Sequence, residues 1–125
     1  MKKLNLYGGA LLLLAFLYSG YVLHHVALSH AAENPVRIST RANHIYLLLI
    51  ILLNLLAYRI NFHGRIKRLE ALARSALFLS GLCAAVGFFM QISRTGAMHN
   101  VMSPTAVVLA FLSVVLFLLD GWRIK

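Results

Sequence analysis

Four long apolar runs dominate the sequence, and they constrain the fold more than any other feature. They cover residues 4–28, 43–62, 71–92 and 104–122, with short polar segments between them. Each run is close to the roughly 20 residues that an α-helix needs to cross the hydrocarbon of a bilayer. Backbone groups in lipid must bond within their own segment, so each run is predicted to be a helix. The short loops favour one all-α domain over residues 1–125, an integral membrane protein with a four-transmembrane-helix up-down bundle.

The composition supports lipid as the surrounding solvent. Hydrophobic residues make up 61% of the 125 residues and charged residues only 12%. A soluble domain is roughly half apolar and about a quarter charged. The first run is longer than the apolar region of about 7–15 residues in a secretory signal peptide. It is therefore expected to be a retained span.

The basic residues predict the orientation and argue against nucleic-acid binding. Nine would lie on one side of the membrane: Lys2, Lys3, Arg59, Arg65, Lys67, Arg68, Arg74, Arg123 and Lys125. Three would lie on the other side: Arg37, Arg41 and Arg94. This bias predicts a bacterial-type inner membrane protein with both termini in the cytoplasm. The net charge of +9 sits in gaps between spans and not along one face, so no nucleic-acid partner is expected.

Polar and small residues at helical spacing predict which faces pack together. In the second span the inward face comprises Asn43, Leu47, Ile50, Asn54, Tyr58 and Asn61. In the third span Ser80, Ala84 and Gly87 allow close helix approach. The first span is expected to face inward through Leu14, Tyr18, Tyr21 and His25. The amides of Asn43 and Asn54 would then bond across helix interfaces.

Local signals mark the helix ends. Ser39 or Thr40 is predicted to cap the second helix, and Ser103 with Pro104 to begin the fourth. Glu70 and Arg74 form an i,i+4 pair at the entrance of the third helix.

Histidines concentrate at the predicted outer mouth of the bundle. Five of the six lie there: His24, His25, His30, His44 and His99. Imidazole binds transition metals and thioether suits soft ions, so copper is a candidate metal. Its predicted ligands are His24, His25, His44, His99 and Met98. Histidines that reach water at the membrane surface without binding a ligand are the alternative.

Haem b is the second candidate cofactor, since histidines of different helices can ligate its iron. The predicted binding residues are His25, His44, His99 and Gln91, with Arg41 and Arg94 for the propionates. Gly20 and Gly87 would leave room for it. His44 lies about 100° round the helix from Asn43, so it is a weaker candidate than His25.

The sequence offers little for catalysis. Its three carboxylates, Glu33, Glu70 and Asp120, form no acid/base pair on one face, and Cys83 is the only cysteine. No catalytic residue is predicted. The expected function is a non-enzymatic accessory bundle whose partners are the lipid bilayer and copies of itself or a larger membrane complex. A haem or copper redox protein is one alternative, and a small channel or carrier is another.

Overall fold

The computed structural model describes residues 2–25, 35–62, 67–93, 102–119 and 122–123. These residues form four α-helices: α1 (Lys2–His25), α2 (Pro35–Arg59), α3 (Lys67–Ser93) and α4 (Met102–Leu119). Each helix is long and apolar enough to span a membrane by length and composition. The prediction of an all-helical protein with four such helices is therefore confirmed.

Several helix ends differ from the predicted ones. α3 begins at Lys67 rather than Ala71, and α4 begins at Met102, so Ser103 lies inside the helix and does not cap it. α2 begins at Pro35 rather than near Asn43, so Ser39 and Thr40 lie inside the helix and do not cap it. Proline suits a first helical turn because the N–H that it lacks would have no partner there. Phe62 and Trp122 were expected to be helical, but they pair in a short antiparallel ladder between β1 (Asn61–Phe62) and β2 (Trp122–Arg123). This ladder joins the segment that follows α2 to the segment that follows α4.

The contacts between helices establish the up-down order. Asn5, in the first turn of α1, bonds Asn54 near the end of α2 and the carbonyl of Arg74 near the start of α3. Ser113, in the second half of α4, bonds the carbonyl of Ala73. Consecutive helices therefore run in opposite directions.

α3 is the central helix of the bundle. It packs against α1, α2 and α4, and it is the most buried of the four spans. One apolar cluster consists of Leu12, Leu47, Ile50, Ile51, Ala84 and Ala106. A second, towards the β1–β2 end, consists of Ala57, Ala73, Leu77 and Phe117. Cys83 is half-buried and packs beside the first cluster.

The packed face of α1 is not the one predicted from its aromatic residues. Tyr18 and Tyr21 are 60% and 62% exposed, and His25 is also exposed. The buried residues are instead Asn5, Gly8, Gly9, Leu12 and Ser19. Glycines let α1 approach its neighbours closely, since a Cβ on Gly9 would lie 2.9 Å from Leu55 Cδ2. Bulky leucine and tyrosine side chains on the predicted face would hold the helices apart, so they lie outside.

Candidate functional site

A buried polar network joins three helices near the start of α1. The amide nitrogen of Asn5 donates to Asn54 Oδ1 at 2.9 Å and to the carbonyl of Arg74 at 3.2 Å. The amide nitrogen of Asn54 donates to the carbonyls of Ile50 and Leu77, at 3.0 and 3.2 Å. Asn54 thus lies on the inward face of α2, where the sequence placed it, and its bonds are interhelical as well as local. Both amide nitrogens donate hydrogen bonds that hold helices together.

Arg74 extends this network towards the end of α2. Its guanidinium donates to Glu70 Oε1 at 2.9 Å, which is the predicted i,i+4 pair. It also donates to the carbonyls of Ala57 at 2.6 Å and of Ile60 at 3.1 Å. The last carbonyls of a helix have no partner within the helix, and a cation there also offsets the helix dipole. Arg74 therefore closes the end of α2, although its side chain is wholly buried.

At the opposite end of the bundle, α2 and α3 are joined by a second amide pair. The amide nitrogen of Asn43 donates to Gln91 Oε1 in a short hydrogen bond. Asn43 is buried and Gln91 half-buried. Gln91 was predicted as a cofactor-binding residue, and here it is engaged with Asn43.

His44 lies beside this pair, in the interface between α1 and α2. Its Nδ1 is 3.0 Å from Ser19 Oγ, and Ser19 Oγ donates to the carbonyl of Phe16 at 2.8 Å. The Phe16 ring stacks on the imidazole with centroids 4.1 Å apart and an interplanar angle of 17°. The Phe88 ring of α3 lies at 5.7 Å. His44 is thus half-enclosed by aromatic rings and oriented by a hydroxyl group.

The other two described histidines do not join His44. His24 and His25 are both exposed at the end of α1, with their rings in an edge contact at 5.0 Å. The His25 ring packs on Tyr21 at 4.3 Å, on the outer face of α1. The expectation that His25 points inward is therefore wrong, for the packing reason given above. His44, ranked below it from the sequence, is the more enclosed of the two.

The remaining predicted residues divide between described and undescribed segments. His99, Met98 and Arg94 lie outside the described residues. Arg41 is exposed in α2, one helical turn before His44. Among the described residues, no group of three or more His, Cys, Asp or Glu side chains could hold a metal ion.

The predicted packing residues of α3 all lie inside the bundle. Ser80, Ala84 and Gly87 are buried, and Ala84 belongs to the same apolar cluster as Ala106 of α4. Within the described part of the chain, Ser80 Oγ and Asn5 Oδ1 have no hydrogen-bond partner.

Three important residues were not identified from the sequence: Asn5, Ser19 and the buried side chain of Arg74. A signal existed for two of them. Asn5, Leu12 and Ser19 recur every seven residues along α1, the spacing of a packed helix face. Arg74 was expected at the entrance of the third helix, but it lies two turns into a 27-residue helix and its side chain is buried.

Comparisons with known protein families, with curated proteins and with solved structures found no match to this chain. Function is therefore inferred from side-chain chemistry and position.

Proposed function

We propose that this chain is a small, non-enzymatic, multi-pass protein of a bacterial-type inner membrane, which assembles with copies of itself or within a larger membrane complex. The observation that carries the proposal is the use of its interior polar groups. Asn5, Asn54, Arg74, Ser113 and the Asn43–Gln91 pair are all engaged in bonds between helices. Such bonds are typical of helix association in lipid, where a free polar group is costly.

A packing role explains these side chains better than catalysis or transport does. A coupled transporter usually keeps ionisable groups at mid-depth, facing a water-filled path or a substrate. In the described spans the buried ionisable group is Arg74, and its guanidinium is bonded to Glu70 and to carbonyls of α2. This arrangement stabilises one conformation of the bundle.

The outer faces of α1 and α4 are available for contact with lipid or with another protein. Both helices bury one narrow side against the rest of the bundle and expose a wide apolar surface. On α1 this surface is formed by Tyr7, Leu11, Leu14, Leu17, Tyr18 and Tyr21. On α4 it includes Val107, Val108, Phe111, Leu112, Leu118 and Leu119. In a membrane these faces meet lipid or another protein.

Membrane integration is tested by alkaline carbonate extraction of membranes from cells that make the tagged protein. The protein is expected to stay in the pellet and to dissolve only when detergent is added. A peripheral membrane protein, run in parallel, should be released by the same treatment. Recovery of this chain in the carbonate supernatant would contradict the proposal.

Assembly is tested by native mass spectrometry of the protein purified in mild detergent and in lipid nanodiscs. We expect an oligomer, or a complex of fixed composition with other membrane proteins. A bare monomer in both environments would contradict this part of the proposal. Membrane integration would be unaffected by that result.

A further inference from the structure

We propose that the β1–β2 end of the bundle binds the headgroups of anionic phospholipids through Lys3, Arg59 and Arg68. The inference rests on the membrane integration proposed above and adds to it the class of lipid that the protein prefers. All three side chains are exposed, and each belongs to a different helix. At this end of the bundle α1 and α3 begin and α2 ends.

The three bases lie at similar depths along the bundle. Asn5 of α1 bonds Asn54 of α2 and the carbonyl of Arg74 in α3, so these three residues mark one level. Along α1, α2 and α3 in turn, the bases are two, five and six residues outward from that level. At a rise of roughly 1.5 Å per residue, this is about 3, 7.5 and 9 Å. The spread of about 6 Å fits one headgroup layer, since both layers together add about 10–15 Å to the hydrocarbon.

Each base ends an exposed apolar stripe of its own helix. Side chains three or four residues apart lie on the same face of a helix. Below Lys3 the stripe of α1 includes Tyr7, Leu14, Leu17 and Tyr21. Below Arg59 the stripe of α2 includes Leu56, Leu52, Leu49 and Ile45. Below Arg68 the stripe of α3 includes Leu72, Leu79, Leu82 and Val86. An acyl chain can therefore lie along each stripe while the base at its end meets the phosphate of the same lipid.

Two exposed tyrosines support this depth for the bases. Tyr7 lies one helical turn from Lys3, and Tyr58 is the neighbour of Arg59. Tyrosine is enriched at membrane–water interfaces, where its ring sits at the level of the headgroups. Lys3 and Arg59 are thus within reach of lipid phosphates when these tyrosines occupy their usual depth.

The charges at this end favour an anion from outside the chain. The sequence assigns nine basic residues but only two carboxylates, Glu70 and Asp120, to this side. Glu70 already accepts a hydrogen bond from the guanidinium of Arg74. Asp120 can neutralise one base at most, so positive charge remains in excess. Anionic headgroups are attracted by such an excess, whereas a zwitterionic headgroup has no net charge to offer.

The experiment is native mass spectrometry of the full-length protein in mild detergent, with equal amounts of phosphatidylglycerol and phosphatidylcholine that carry the same acyl chains. The parent is expected to bind phosphatidylglycerol in preference. Lys3→Gln, Arg59→Gln and Arg68→Gln should each lower the ratio of bound phosphatidylglycerol to phosphatidylcholine by roughly fivefold, the contribution of one base near an anionic surface. The triple variant should lose the preference.

Lys67→Gln is the matched control for Arg68→Gln. Lys67 is exposed in the same helical turn and carries the same charge, but its face of α3 continues to the buried Arg74 and not along the exposed stripe. This variant should keep the ratio of the parent. Far-UV circular dichroism should show that all the variants keep the helical content of the parent.

A soluble competitor separates a lipid site from a phosphate site. Glycerol phosphate carries the anionic group without acyl chains, so an excess of it should not displace phosphatidylglycerol. The proposal is overturned if the parent takes up both lipids equally, if the triple variant keeps the preference, if Lys67→Gln lowers the ratio as much as Arg68→Gln, or if glycerol phosphate displaces the lipid. Failure of membrane integration would be seen separately, as release of the protein by carbonate.

Discussion

At the residue scale, the bundle is specified by a few amides and glycines within apolar surroundings. Asn54 makes one bond to α1, one to α3 and one within α2, so a single side chain fixes the register of three helices. Its partner Asn5 lies in a helix turn that composition alone would assign to the membrane surface. Apolar contacts around them are compatible with many rotations of a helix, whereas these hydrogen bonds are compatible with few.

The coupling between these two amides can be measured directly. In a double-mutant cycle with Asn5→Ala and Asn54→Ala, we expect a coupling energy of about 0.6 kcal/mol and at most about 1.7 kcal/mol, the range found for interhelical hydrogen bonds in membranes. The free energy of unfolding would be measured by titration from mild detergent into SDS. Strictly additive effects of the two substitutions would refute the interaction.

Two glycines provide a second test at this scale. A Cβ on Gly81 would overlap Leu12, which is 2% exposed, and would also touch Ile50. Gly81→Ala is expected to destabilise the bundle by about 1–3 kcal/mol, the usual effect of overpacking a core. Gly20→Ala is the matched control, because its Cβ would be in ordinary contact with His44. Helix propensity then makes it neutral or stabilising by up to about 1 kcal/mol, and equal effects of the two substitutions would show the explanation to be wrong.

At the element scale, the end of α2 depends on a side chain from α3. The carbonyls of Ala57 and Ile60 accept hydrogen bonds from the guanidinium of Arg74, which also donates to Glu70 Oε1. The planar guanidinium can donate in several fixed directions at once, which an ammonium group on a flexible stem cannot do as well. The end of α2 is therefore held by one residue of α3.

Arg74→Lys tests this role while keeping the positive charge. We expect a loss of about 1–3 kcal/mol in the free energy of unfolding, the usual effect of removing hydrogen bonds from a charged donor. Arg68→Lys, at an exposed position of the same helix, should have almost no effect. Similar stability of the two variants, measured by thermal unfolding in detergent, would mean that Arg74 does not close the end of α2.

At the scale of the whole molecule, the up-down order brings both chain ends to the same side of the bundle. Asn5 lies near the end of α2, and β2 pairs with β1 directly after that helix. The nine basic residues that predict a cytoplasmic location lie near the chain ends or near the segment between α2 and α3, which are at this side of the bundle. If the protein spans a membrane, one orientation therefore satisfies the charge bias of all its loops.

Fusions with reporter proteins measure this orientation. A green fluorescent protein joined after Lys125 should fluoresce, and alkaline phosphatase at the same position should be inactive, since each works on one side of the membrane only. Fusions after His30, in the segment between α1 and α2, should give the reverse pattern. An active phosphatase at Lys125 would contradict the predicted cytoplasmic location of the termini.

The sequence by itself determined the number of helices and their approximate extents. Long apolar runs can satisfy their backbone groups only as helices in lipid, and this constraint is local to each run. The inward face of α2 was also accessible from the sequence, since its asparagines stand out at helical spacing among leucine and isoleucine. The Glu70–Arg74 pair was accessible for the same reason, because i,i+4 neighbours meet on any helix.

Only the tertiary structure decided which side of α1 packs, where the guanidinium of Arg74 goes and which histidine is enclosed. Aromatic residues such as Tyr18 and Tyr21 are equally stable against lipid and against another helix, so their spacing cannot distinguish the two. Gly9 and Gly81 favour the observed packed face of α1 because they let helix backbones approach closely. That approach depends on the partner helix and not on α1 alone. His44 is enclosed because that approach brings Ser19 and Phe16 to it, and no property of α2 alone contains that information.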